Sequence, residues 1–285
     1  MHEADDYQLI DFGDAARLER FGARTVDRPH PGAFGARRDP GAWSSADLHF
    51  DRDRGWTGSA AADDAEWPIE VAGLTLELRP TDAGQVGLFP EHLSAVPWLR
   101  DRIVERAAPQ GDPATPSVLH LFGYTGLATL ALAAAGAAVT HVDSARPTVA
   151  WARRNATLSG LADRPIRWIV DDAQAFAERE ARRGRKYDGL VLDPPSYGHG
   201  PAGRPWRLVD HLEGLLETCA TLLRPDAFVL LTAHTPGADG DRLASLLGRV
   251  GARSPSAVER GVLALGTPDD RRLELGAFAR WPGGA

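Results

Sequence analysis

The sequence predicts an α/β protein whose larger part is a Rossmann-like doubly wound parallel sheet, closed by a C-terminal antiparallel hairpin. A smaller, β-rich region precedes it. Three observations predict this. Five short apolar runs with β-branched residues lie between residues 117 and 233. Amphipathic helical stretches separate them, with short connections, which is the pattern of strands joined by crossover helices. The rhythm then changes to two alternating runs around a Thr267-Pro268-Asp269-Asp270 turn.

Residues 1–65 are rich in Gly, Pro, Asp and Arg and poor in periodic pattern. Tyr7–Phe12 alternates as a strand does, and Asp14–Phe21 reads as a helical turn or two. Residues 28–43 (RPHPGAFGARRDPGAW) read as extended loop, because their prolines and glycines break both periods. Trp67–Leu78 alternates around a glycine and predicts a hairpin. From His92 to about Ala107, Leu93, Val96, Leu99, Ile103 and Val104 recur at helical spacing, with Pro97 starting or bending the helix. After Gly111-Asp112-Pro113 come the strands 117–122, 139–142, 166–170, 187–192 and 227–233. Between and after them the helices are 127–135, 145–158, 173–182, 208–223 and 241–250, and the tail is a hairpin of 257–265 and 271–281. The expected division is an N-terminal substrate or lid region, 1–100, and a catalytic domain, 101–285.

Composition narrows the class. The 285 residues carry 32 basic and 39 acidic side chains, a net charge of −7, with Lys186 the single lysine. That balance weighs against a protein coated by nucleic acid, though it leaves room for a local arginine-lined groove. Arg37-Arg38, Arg153-Arg154, Arg182-Arg183 and Arg185-Lys186 are candidate phosphate contacts, or simply solvated faces. No apolar run approaches the roughly 20 residues of a membrane span. The opening MHEADDYQLIDF is acidic where a secretion signal would be basic and then apolar, so a cytoplasmic, membrane-free protein is expected. Cys219 is the only cysteine, which excludes a disulfide framework and a Cys-based zinc site within the chain; no metal is expected.

Motifs at successive strand ends specify a ligand. The first strand of the doubly wound part runs into Gly123-Tyr124-Thr125-Gly126, a tight turn that places backbone N–H groups at a helix N-terminus. Asp143, with Ser144, ends the second strand, where an acid can accept hydrogen bonds from both ribose hydroxyls. Asp172 and Ala173 end the third, placed for an adenine amino group and ring. A dinucleotide would need G-x-G-x-x-G; here Tyr124 stands between two glycines, leaving less room for a diphosphate. The cofactor expected is therefore S-adenosyl-L-methionine (SAM). The fourth strand stops on Asp193-Pro194-Pro195-Ser196-Tyr197, where two prolines remove two donors and stiffen the exit. An acid held there can accept hydrogen bonds from a planar amino group, and Tyr197 can stack on its ring.

LHLFGYTG, VDSARPTVAWARRNATLSGL and YDGLVLDPPSYGHG together resemble the bacterial class I SAM-dependent rRNA methyltransferases that include the large-subunit cytosine-C5 enzymes. AGQVGLFPEH (83–92) resembles that group's motif ahead of the sheet, and residues 7–33 resemble the start of a less characterised branch. The resemblance implies that Gln85 and Phe89 line the methionine side of the cofactor. It implies that Gly123 to Gly126 form the cofactor turn, that Asp143 and Ser144 hold the ribose, and that Asp172 and Ala173 hold the adenine. Asp193, Pro194, Pro195, Ser196 and Tyr197 would form the catalytic, target-facing wall, and RNA, above all rRNA, would be the substrate. The group's N-terminal RNA-binding PUA domain is not evident.

One departure redirects the chemistry. Methylation at cytosine C5 needs a thiolate that adds to the ring, and the cytosine-C5 relatives carry it after the fifth strand. Here LLTAHTPG (230–237) offers Thr232 and His234 and no cysteine, while Cys219 sits among apolar neighbours on the preceding helix. Transfer to a heteroatom, a nitrogen or an oxygen, is expected instead, with a nitrogen favoured, His234 a candidate base near the pocket mouth and no role assigned to His199 or His211. The alternatives are a methyltransferase of a small molecule or protein side chain, and a SAM-binding protein without catalysis.

Overall fold

The computed structural model describes residues 6–60, 66–107, 115–199, 205–250 and 257–283. Gly111-Asp112-Pro113, where the sequence changes character, lies outside them. Two compact units divide the chain: residues 1–93 with 264–275, and residues 94–263 with 276–285. No helix among the described residues is long and apolar enough to cross a membrane.

The first unit is built on a five-stranded sheet in sequential order: β1 (Tyr7–Gly13), β2 (Ala16–Phe21), β3 (Arg24–Pro29), β4 (Leu48–Asp51) and β5 (Gly55–Thr57). All neighbours are antiparallel except β3 and β4. The helical turn expected over Asp14–Phe21 is therefore a strand. Asp14 and Ala15 both have left-handed φ, 50° and 56°, and so form a two-residue hairpin turn. Asp-Ala lacks the glycine that normally announces such a turn, which is why the sequence conceals it. The loop expected over 28–43 also holds a short helix, α1 (Pro40–Ser44), with Pro at its start and Asp39 Oδ1 accepting from Ala42 N at 3.1 Å. A hairpin of β6 (Trp67–Val71) and β7 (Leu74–Leu78) completes the strands of this unit, and a 3-10 turn spans Pro90–Ala95.

Buried charge organises the interior of this unit. Glu19 accepts from Arg28 Nε at 2.6 Å and from the Tyr7 hydroxyl at 2.9 Å, with Arg17 Nε 3.2 Å away. Burial pushes the Glu19 carboxyl up, but Arg17 and Arg28 outweigh it and hold the group below the ordinary range. Asp11 is a second hub, receiving Trp43 Nε1 at 2.7 Å, Arg38 N at 2.8 Å and the Arg271 guanidinium.

The second unit carries a seven-stranded sheet. Its strands are β8 (Ser117–Leu121), β9 (Ala138–Asp143), β10 (Ile166–Val170), β11 (Tyr187–Leu192), β14 (Leu223–Ala233), β15 (Glu259–Gly266) and β16 (Arg272–Trp281). The order is β10-β9-β8-β11-β14-β16-β15. The first five run parallel and β16 is antiparallel to β14. This is the Rossmann-like doubly wound sheet with a C-terminal hairpin, and residues 264–275 at the hairpin's far end group with the first unit. The helices are α2 (Val96–Ala107), α3 (Leu127–Ala134), α4 (Arg146–Leu158), α5 (Ala173–Arg182), α6 (Leu208–Ala220) and α7 (Gly240–Val250). A small hairpin, β12 (Tyr197–His199) with β13 (Pro205–Arg207), follows β11.

The β strands are near-continuous apolar runs because helices cover both sheet faces. On one side Leu119, Leu190, Leu192, Val229 and Leu231 pack with Leu212, Leu215, Leu216 and Leu243. On the other, Val118, Val139, Val191 and Leu230 pack with Leu99, Ile103 and Leu132. Strand order reverses between β8 and β11, so their carboxyl ends flank the crevice where such sheets bind ligands.

Candidate active site

The turn after β8 is held in an unusual conformation. Phe122, Tyr124 and Gly126 all have left-handed φ, of 59°, 48° and 97°. Two of these are not glycine, and backbone strain of this kind clusters where a ligand is bound. Gly123 meets a different demand: a Cβ there would lie 2.4 Å from Cε1 of His141. That imidazole is fully buried and fixed by Thr129 Oγ1 at 2.9 Å. Burial, and secondarily the neighbouring His120, pushes the His141 pKa well down, so a neutral ring supports the turn from below. The fully buried Asn155 on α4 donates to the Thr125 carbonyl at 2.9 Å, a brace that sequence reasoning missed. Its signal was an asparagine on the apolar face of a helix.

Asp143 stands at the end of β9 beside this turn. Its Oδ2 accepts from Tyr124 N at 3.0 Å and its Oδ1 from Ala145 N at 2.9 Å. Burial raises its pKa above the ordinary value, and the backbone donors of Ala145, Tyr124 and Ser144 oppose that rise incompletely. Asp172 caps α5, its Oδ1 accepting from Ala175 N at 2.8 Å. One cavity gathers these elements: Asp143 and Ser144, Asp172 and Ala173, Phe122, Pro195 and Trp206 all line it. Trp206 was not foreseen, because only the β12–β13 hairpin brings it back to the cavity.

The prolines behave as expected. With no N–H on Pro194 or Pro195, the exit of β11 is secured through its acceptors and side chains. Thr232 Oγ1 donates to Asp193 Oδ1 at 2.6 Å, and His234 Nε2 lies 3.5 Å from the same oxygen. Trp206 Nε1 donates to the Pro195 carbonyl at 2.8 Å, Leu208 N to the Ser196 carbonyl at 3.1 Å, and Thr235 Oγ1 to Ser196 Oγ at 2.7 Å. Tyr197 starts β12 and is 71% exposed. The side chain of His199 lies outside the described residues; His211 stacks on Trp206 with centroids 5.3 Å apart.

Gln85 and Phe89 belong to the first unit. There Gln85 Oε1 accepts from Arg28 Nη1 at 2.6 Å, and Phe89 lies against His92 with ring centroids 6.1 Å apart. Several of the basic residues that were candidate phosphate contacts or solvated faces have partners within their own unit. Arg38 pairs with Asp269 at 2.6 Å, Arg183 with Glu180 at 3.0 Å, and Lys186 donates to the Thr221 carbonyl at 2.7 Å. Cys219 is fully buried on α6, and burial pushes its thiol up to about 12.

These residues fit a nucleoside-bearing cofactor. One cavity brings together a carboxylate, Asp143, able to accept from a diol, and the aromatic and alanine side chains of Phe122, Trp206 and Ala173, against which a base can pack.

No protein-family model matches the chain. A solved structure does: the SAM-dependent methyltransferase from Agrobacterium tumefaciens is 36% identical, with a TM-score of 0.88. The match covers 98% of this chain and 90% of that one. This chain belongs to the SAM-dependent methyltransferases. The structure of SMU.776 in complex with S-adenosylhomocysteine (SAH), 14% identical with a TM-score of 0.74, shares the fold. Curated relatives match a shorter stretch. The ribosomal RNA large subunit methyltransferase K/L of Stutzerimonas stutzeri is 36% identical over 132 residues, or 46% of this chain and 16% of the relative. That of Magnetococcus marinus is 34% identical over 169 residues, or 58% of this chain and 22% of the relative. The matched segment thus spans about a fifth of those relatives' length. As a SAM-dependent methyltransferase, this enzyme uses a cofactor that supplies an electrophilic methyl group on a sulfonium. The chain's own contribution is to bind, orient and shield the reacting groups.

Proposed function

We propose that this methyltransferase acts on RNA in the cytoplasm, with large-subunit rRNA as substrate and a nitrogen as the methyl acceptor. The observation that carries the choice of atom is the exit of β14, where Thr232 and His234 face Asp193 and no thiol is present. The single cysteine is buried with its thiol pushed up to about 12. A thiolate able to attack C6 of cytosine is therefore not supplied. A nitrogen brings its own lone pair to the methyl carbon, so a carboxylate that orients it suffices. The choice of RNA rests on the names of the curated relatives.

In this reading Asp143 and Ser144 hold the ribose, Asp172 and Ala173 the adenine, and Gly123 to Gly126 the cofactor's backbone-facing edge. Asp193 to Ser196 present the acceptor, and Tyr197 stacks on it. The experiment is transfer of tritiated methyl from SAM to rRNA purified from a strain lacking the gene, followed by mass spectrometry of the nucleosides. Label in an N-methylated nucleoside of that rRNA, absent with wild-type rRNA and with the Asp193→Ala enzyme, is expected. Label in 5-methylcytidine, or only in small molecules or protein, would overturn the reading.

A further inference from the structure

We propose that Trp206 is a positioning residue that makes the acceptor loop's conformation depend on the nucleoside pocket being filled. The inference rests on the reading of that pocket as the cofactor's adenosine site.

The indole of Trp206 is 6% exposed and has two aromatic neighbours. His211 stacks on it, 5.3 Å away and tilted by 26°, and Phe122 of the strained turn lies 5.7 Å away at 47°. The same side chain lines the cavity shared with Asp143, Asp172 and Ala173. Its third contact is polar: Nε1 donates to the carbonyl of Pro195 at 2.8 Å.

The prolines give that hydrogen bond its importance. A loop is normally fixed by its own N–H groups as well as its carbonyls, but Pro194 and Pro195 have none to offer. Residues 193–196 are also tied by Thr232, His234, Thr235 and Leu208 N. None of those donors lines the pocket. Trp206 alone among these donors touches both the loop and the nucleoside space. Its backbone adds a second linkage, because Trp206 pairs with Gly198 across β12 and β13, two residues beyond Ser196.

A base seated against the indole narrows the rotamers open to Trp206 and keeps Nε1 aimed at Pro195. With the pocket empty, the indole regains freedom and the loop loses that tie for part of the time. Binding then follows an order: cofactor first, acceptor second. By linkage, a bound acceptor retains the cofactor more tightly by the same factor.

Hydrogen-exchange mass spectrometry and calorimetry on the full chain, with SAH as the probe, test this without any methyl acceptor. In the wild type, saturating SAH slows exchange both at the Gly123–Leu127 turn and at Ser196–His199. Trp206→Phe keeps an aromatic wall and removes the donor. It is expected to bind SAH within about threefold of wild type and to keep protection at the turn. Most of the SAH-dependent slowing at Ser196–His199, up to about tenfold, should vanish, as suits the loss of one hydrogen bond. Trp206→Leu is expected to weaken SAH binding about tenfold as well, through the lost stacking. Full SAH-dependent protection at Ser196–His199 in Trp206→Phe overturns the inference while leaving the cofactor site intact. Absence of protection at the Gly123–Leu127 turn in the wild type would refute the site reading itself, and this inference with it.

Discussion

Replacing Asp143 by Asn isolates the residue on which the cofactor assignment depends most. Its two carboxylate oxygens already accept from Tyr124 N and Ala145 N, and each oxygen has a second lone pair for a ribose hydroxyl. A hydrogen bond to a charged acceptor contributes about 1.5–3 kcal/mol. Losing one of two such bonds outright and the charge on the other gives about 3 kcal/mol, or roughly 150-fold in affinity. The amide keeps one oxygen, so the fold survives, but its NH2 faces a backbone N–H and cannot accept. Isothermal titration with SAH should therefore show a dissociation constant about two orders of magnitude weaker. The pH dependence has a defined sign. Burial raises the Asp143 pKa, so its ionised form is less favoured than that of an exposed aspartate. Ribose hydroxyls donate to that ionised form, so wild-type affinity should fall as pH drops through the raised pKa, and the Asn variant should lack that dependence. A dissociation constant within threefold of wild type, or an unchanged pH profile, would refute the ribose role of Asp143.

Gly123→Ala drives a Cβ to 2.4 Å from His141 Cε1, in a ring pinned by Thr129. A cost of about 2–3 kcal/mol is expected, seen as a melting temperature lower by roughly 5–10 °C with SAH binding lost. Adding His141→Ala should recover part of that loss, a non-additivity measurable in a double-mutant cycle. Cys219→Ala should retain methyl transfer and lose about 1–2 kcal/mol of stability by urea unfolding, and the native thiol should resist iodoacetamide. In the first unit, burial pushes the Asp11 carboxyl up, but hydrogen bonds from Trp43, Arg271 and the backbone of Arg38 and Asp39 outweigh it, to about 2. Its folded pKa is thus below the unfolded value of 3.8, and the difference contributes about 2 kcal/mol at neutral pH. That stability should disappear as pH falls from about 4 through about 2, and denaturation of Asp11→Asn should be flatter over the same window.

The doubly wound sheet was legible because its central strands, β8, β11 and the second half of β14, are largely buried apolar runs, and α4, α5 and α6 are amphipathic. The candidate residues at the ends of β8, β9, β10 and β11 were proposed from the same reading, since strand ends collect polar residues where the sheet meets solvent or a ligand; Phe122, Asp143, Asp172 and Pro195 line one cavity. What escaped was decided by tertiary contact. The Asp14–Ala15 turn takes a left-handed path that its residues do not advertise. The β12–β13 hairpin has three residues per strand, too few for alternation to register. Trp206 gained its place from that hairpin, and Asn155 from a helix face shared with alanines and Trp151. Asp172 was read for its reach toward a base, and its N-cap bond to Ala175 went unremarked although an acid before Ala-Gln-Ala-Phe is a helix start.

In the proposed reading, the two acids at the crevice divide its labour by their surroundings. Asp143 is fed by backbone donors that cannot move, which suits a group whose ligand is the same in every turnover. Asp193 is fed by side chains, Thr232 and His234, both on the exit of β14. A side-chain donor can reorient as an acceptor group arrives, and a hydroxyl can switch from donating to Asp193 Oδ1 to donating to the Leu192 carbonyl, 3.3 Å away. That adaptability belongs on the face that must admit and release a different molecule each cycle. It supports assigning the cofactor to the Asp143 side and the methyl acceptor to the Asp193 side.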